Sequence, residues 1–115
     1  MNLNPLPPTL RERKRYVVFE IISENPKKLQ EVRMAIWNSI LNFLGENEAS
    51  KMNLWLISSL FNYDLQKAAI RVNHDMVGKL RAALTLVKEI NGERTTLSVI
   101  GVAGTMEGVK KKYFE

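Results

Sequence analysis

Two rhythms of apolar residues divide this chain into alternating segments. Residues 16–23 are rich in β-branched and aromatic side chains and predict a buried strand. After them the spacing changes to that of a helix: Leu29, Val32, Ile36, Ile40 and Phe43 form one stripe, widened by Trp37, Leu41 and Leu44. Asn25 and Pro26 supply an N-cap and a first helical residue, and Gly45 supplies the stop. Residues 51–59 and 65–72 predict a second and a third strand, joined as a hairpin through Asn62, Tyr63 and Asp64. A second helix, capped by Asn73 or Asp75, is expected to reach Ile90 on a stripe of Met76, Leu80, Ala83, Leu84 and Val87, with Asn91 and Gly92 ending it. Residues 95–103 predict a fourth strand, and 104–114 a short final helix or a tail.

The order is β-α-β-β-α-β, a split-βαβ α+β sandwich in the α/β class. It implies an RNA-recognition-like antiparallel sheet of four strands with the two main helices on one face. The faces follow from alternation: Val17, Phe19 and Ile21 oppose Val18 and Ile22, and Met52, Leu54 and Leu56 oppose Trp55 and Ile57. Two helices cover one face only. The other is too apolar for water, so a terminal helix or a partner must cover it.

Outside this frame, residues 1–8 hold Pro5, Pro7 and Pro8 and are expected to be extended or disordered. Thr9 and Glu12 have capping-box spacing, which predicts one helical turn before the first strand. Residues 9–106 then form a single domain, and 107–115 a basic C-terminal helix or tail. A length of 115 residues fits one domain, and 45% hydrophobic with 25% charged residues fits a folded soluble one. No apolar run is long enough to span a bilayer and no signal-peptide pattern is seen, so a cytoplasmic protein with no membrane association is expected. The absence of cysteine excludes disulfides, thiolate metal sites and cysteine nucleophiles.

Charge changes the picture more. The net charge is +5, yet residues 16–105 contribute only +1 of it. Arg11, Arg13, Lys14 and Arg15 against Glu12 leave +3 at one end, and Lys110, Lys111 and Lys112 against Glu107 and Glu115 leave +1 at the other. Such clusters attract phosphate backbones, and about as often merely keep a surface solvated. Catalytic and metal centres are not indicated: His74 is the only histidine and sits at a helix start, and Asp64 and Asp75 lie in different loops. Gly101-Val102-Ala103-Gly104 has the spacing of a backbone-clamping GxxG loop, although close strand packing explains it better. The third strand has no aromatic for stacking bases. Its Lys67, Ala69 and Arg71 share a face that reads first as solvated.

An ordered set of segments resembles the archaeal ribonuclease P protein component 2 family, the Pop-type subunits. They are RERKRYVVFEII (11–22), AIWNSILNFLGE (35–46), NLWLI (53–57), AAIRVNHDMVGKLRAALTLVKEINGE (68–93) and VIGVAGTM (99–106). The resemblance implies a non-catalytic subunit of the ribonucleoprotein that removes the 5′ leader from precursor tRNA. Cleavage would be performed by the partner RNA with its own magnesium, this chain holding no cofactor. It further implies ribonuclease P protein component 3 as a partner, a contact between two copies giving a heterotetramer, and only indirect contact with precursor tRNA. One departure stands out: Met106-Glu107 follows Thr105 where the family often has a branched aliphatic and a basic residue.

On this reading Arg11, Arg13, Lys14 and Arg15 are the main phosphate contacts, Lys110, Lys111 and Lys112 the second group, and Phe19, Trp55 and Ile57 the partner interface. The rivals are a dimeric metabolite-binding module of the same topology and a small hydrolase using Arg and Asn.

Overall fold

A computed structural model describes residues 13–114. The expectations for residues 1–8 and 9–12, Arg11 among them, lie outside the described residues. Strand β1 (Lys14–Ser23) leads into helix α1 (Leu29–Ser50), then β2 (Trp55–Leu56), β3 (Lys67–Asn73), α2 (Val77–Thr85), β4 (Glu89–Ile90), β5 (Glu93–Ala103) and α3 (Met106–Tyr113), with 3-10 turns at Ser58–Leu60 and His74–Met76. The sheet runs β2-β3-β1-β5-β4, every neighbouring pair antiparallel. Central β1 pairs with β3 from Lys14↔Asn73 to Glu20↔Lys67, and with β5 from Tyr16↔Ala103 to Ser23↔Thr95. A bulge opposite Val18 and Phe19 absorbs Ile100. The expected strand–helix order holds, with a fifth strand added.

Alternation along β1 builds two cores. Val17, Phe19 and Ile21 pack with Val32, Ile36 and Ile40 of α1 and with Leu80, Ala83 and Leu84 of α2. Each of these Val, Ile, Leu and Phe side chains withdrawn from water contributes about 1.5–3 kcal/mol. On the other face Val18, Ile57, Leu60 and Ala69 form a smaller cluster sealed by Val109 of α3. The second face is therefore covered in part by the chain's own terminal helix.

Local physics explains where the elements depart from expectation. Asn25 does not cap α1, because its backbone N–H and side-chain amide both donate to Glu93, at 3.1 and 2.7 Å. The helix starts at Leu29 instead, where the Glu31 carboxylate accepts the Lys28 backbone N–H at 2.8 Å. Gly45, at φ 83°, breaks α1 but does not end it: a further turn continues to Ser50 and buries Ala49. The second strand shrinks to two residues, because Asn53 adopts φ 50° on one side and Ser58–Leu60 winds into a 3-10 turn on the other. Helix α2 stops at Thr85. Asn91 and Gly92, at φ 54° and 76°, form the two-residue turn of a β4–β5 hairpin.

Candidate nucleic-acid interface and apolar groove

The two basic groups lie at opposite ends of the sheet, and along β1 Lys14 shares the phase of Tyr16 and Val18 on the α3 side while Arg15 shares that of Val17 on the other. Arg13 is exposed, and its carbonyl accepts the His74 backbone N–H at 2.7 Å, which ties the entry of β1 to the turn after β3. Lys14 donates to the Asn73 side-chain oxygen, and the Arg15 guanidinium donates to the Lys14 carbonyl at 3.0 Å. At the far side, α3 begins with Thr105 as N-cap, its hydroxyl accepting the Gly108 N–H at 3.0 Å. The helix crosses β5 and β1 so that its last turn lies over the start of β3, where the Lys67 ammonium donates to the Tyr113 carbonyl at 3.3 Å. Lys110, Lys111 and Lys112 all stand exposed on that turn, where a helix C-terminus favours cations. Because β3 spans residues 67–73 between these ends, the two cationic groups are about 20 Å apart along the strand. They bracket the α3 face without merging into one patch.

Lys67 serves here as a helix-end partner rather than as part of a solvated face, and Ala69 between it and Arg71 is fully buried under α3. Gly101 is a packing glycine. A Cβ there would run into the Tyr113 ring, so the strand's close approach to α3 requires its absence. His74 is exposed at a turn, and among the described residues no group of three or more His, Cys, Asp or Glu is placed to hold a metal ion. No described helix is long and apolar enough to cross a membrane.

Of the three residues expected at a partner interface, two are buried in this fold. Phe19 is wholly inside the α1–α2 core, and Ile57 is 5% exposed beneath α3. Both point inward because strand alternation and the covering helix leave them no outer surface. Trp55 is different: it stands 60% exposed on β2, with the Arg71 guanidinium carbon 5.6 Å from its ring centroid. Beside it runs a groove of about 390 Å³ between α1 and the sheet edge, its walls formed by Met34, Trp37 and Leu54 with Arg33 at the rim. Trp37 and Met34 are 39% and 52% exposed. The helical stripe had placed Trp37 and Phe43 toward the core, but Trp37 faces this groove and Phe43 is 46% exposed beside Leu86 in a second, more open one. The sequence signal for the first groove was the coincidence of two tryptophans, one at the margin of a stripe and one on a strand's outer phase.

The Rpp14/Pop5 family model matches residues 15–114. Ribonuclease P protein component 2 of Pyrococcus furiosus is 43% identical over 108 residues, covering 94% of this chain and 88% of that protein. The protein of the same name from Methanococcus vannielii is 37% identical over 111 residues, covering 96% and 82%. Among solved structures, a chain in the cryo-EM structure of yeast ribonuclease MRP superposes with a TM-score of 0.66, covering 83% of this chain and 76% of that one. At 15% identity the likeness is one of fold.

Proposed function

The chain belongs to the Rpp14/Pop5 family, and from that premise we propose that it is the ribonuclease P subunit which binds the catalytic RNA and a protein partner and supports removal of the 5′ leader from precursor tRNA. The observation that carries this reading is identity of 43% with a ribonuclease P protein component 2 across nearly the whole chain. The geometry supports a binding role in place of a catalytic one. Arg13–Arg15 at one end and Lys110–Lys112 at the other neutralise phosphate repulsion where RNA helices approach, with Arg11 extending the first group. The chemistry of cleavage is then left to the RNA and its magnesium. Protein component 3 is the proposed partner, with a second copy of this chain completing a heterotetramer in the cytoplasm. Precursor tRNA is reached through the RNA. The relatives lend no support to a metabolite-binding module.

Reconstitution tests the reading. Catalytic RNA, component 3 and this chain are mixed at limiting magnesium and assayed for precursor-tRNA cleavage. Cleavage that depends on this chain is the expected result. An assembly equally active without it removes the chain from the enzyme.

A further inference from the structure

Among the described residues, strand β2 is the outermost strand of its side of the sheet and is two residues long. An edge of that kind is a template for an added strand. Next to it lies the Trp37–Trp55 groove, whose lining is hydrocarbon apart from Arg33, Ser58 and the indole N–H groups, and includes no carboxylate. Exposed tryptophans around an apolar pocket are the side chains that most often anchor a protein contact, because each buries a large area at small cost in rotamer freedom. Charge defines the occupant further. Arg33, in the groove's lining, donates to the neutral Gln30 side chain at 2.8 Å, and Arg71, outside the lining, packs on Trp55; neither has an ion-pair partner among the described residues.

We propose that this groove seats an extended segment of a second protein, apolar where it meets Trp37 and Trp55 and acidic on its flanks, where it meets Arg33 and Arg71. The segment lies along β2, takes up the strand's outward backbone groups, and buries its alternate side chains between Met34, Trp37 and Leu54. RNA is the less suitable occupant. The groove's walls are hydrocarbon, whereas a nucleic-acid strand needs cations that follow its backbone. A second copy is less suitable too, because Arg33 and Arg71 would be left without carboxylates unless the copy supplied them from its own short acidic stretches. The inference rests on the reading of the chain as a ribonuclease P subunit with a protein partner.

The test takes purified archaeal component 3 as the probe and the full chain as it stands. Binding of component 3 and of the catalytic RNA is measured separately for the parent, the Trp37→Ala/Trp55→Ala variant and Arg33→Glu. Circular dichroism verifies that each variant is folded, as expected for exposed side chains. The double variant should weaken component 3 binding by roughly ten- to a hundred-fold, and Arg33→Glu by about five-fold or more, while RNA affinity is unchanged. Equal binding of component 3 by parent and variants overturns the groove and leaves the subunit reading in place. A loss of RNA affinity in its stead overturns it in favour of an RNA contact. Tryptophan protection in the parent alone, lost together with self-association in the double variant, overturns it in favour of a second copy. A parent that binds neither component 3 nor RNA fails the subunit reading itself, and the groove with it.

Discussion

The two faces of the sheet are built to different standards. Beneath α1 and α2 the face is deep: Phe19, Ile36, Ile40, Ile70, Leu80 and Leu84 are all essentially inaccessible. Beneath α3 it is thin, held by an eight-residue helix that contributes one fully buried side chain, Val109, together with a Thr105 cap and a Lys67 contact at its last carbonyls. The thin face carries the exposed lysines and borders both the Arg13–Arg15 cluster and Trp55. Burial is concentrated beneath α1 and α2, and the face under α3 is held by far fewer buried side chains.

That contrast can be broken or sharpened by experiment. Phe19→Ala empties the centre of the deep face and is expected to cost about 3–5 kcal/mol in chemical denaturation; a loss under 1 kcal/mol would mean the faces are equals. Gly101→Ala pushes Tyr113 aside and should cost about 1–3 kcal/mol. Hydrogen exchange would then speed up in α3 while α1 stays protected. Adding Tyr113→Ala should recover part of the loss, since the nearest atoms a Cβ would meet all belong to that side chain. Replacing Arg11, Arg13 and Arg15 by Ala should lower RNA affinity and flatten its salt slope by about 0.7–0.9 per lost contact. An unchanged slope removes that end from the RNA interface.

The smallest effect is one of pH. The Glu93 carboxyl is held down to about 2 from an ordinary 4.5, first by the Lys27 ammonium and then by the side chain and backbone N–H of Asn25. A depressed carboxyl stabilises the fold above its unfolded value and loses that contribution as pH falls through the folded one. The stability gap between the parent and Glu93→Gln should therefore be constant above about pH 4.5 and close between there and pH 2. A gap of unchanged size from pH 4.5 down to pH 2 would show that the ion pair contributes nothing through titration.

Much of this was legible in the residue pattern. The phases of β1 and β2 put Val17, Phe19 and Met52 against Val18 and Ile57 on the correct opposite faces, because alternation is fixed by backbone geometry. What escaped was decided by competition between signals. Asn91-Gly92 reads equally as a helix end and as a tight hairpin turn. Burial of Val87 and Ile90 favoured the hairpin, and β4 was missed. Asn25 is a good cap in isolation, but Glu93, far along the chain, claims it. The basic ends were visible as composition, whereas their separation by the length of β3 needed the register. Trp55 could be placed on the outer phase of its strand, but the groove beside it depends on Trp37, which helical periodicity had assigned to the core.

The register of β1 also governs how the molecule is made. Its two neighbours in the sheet, β3 and β5, are synthesised well after it, and Tyr16 waits for Ala103. The central strand of the deep core cannot complete its pairing until residue 103 has left the ribosome. The pairing of β1 is therefore non-local, and bringing β5 to it carries the entropic cost of closing a long loop. During that interval a nascent β1 presents a row of unpaired backbone groups and apolar side chains, making it the segment with the greatest need of protection until β5 arrives.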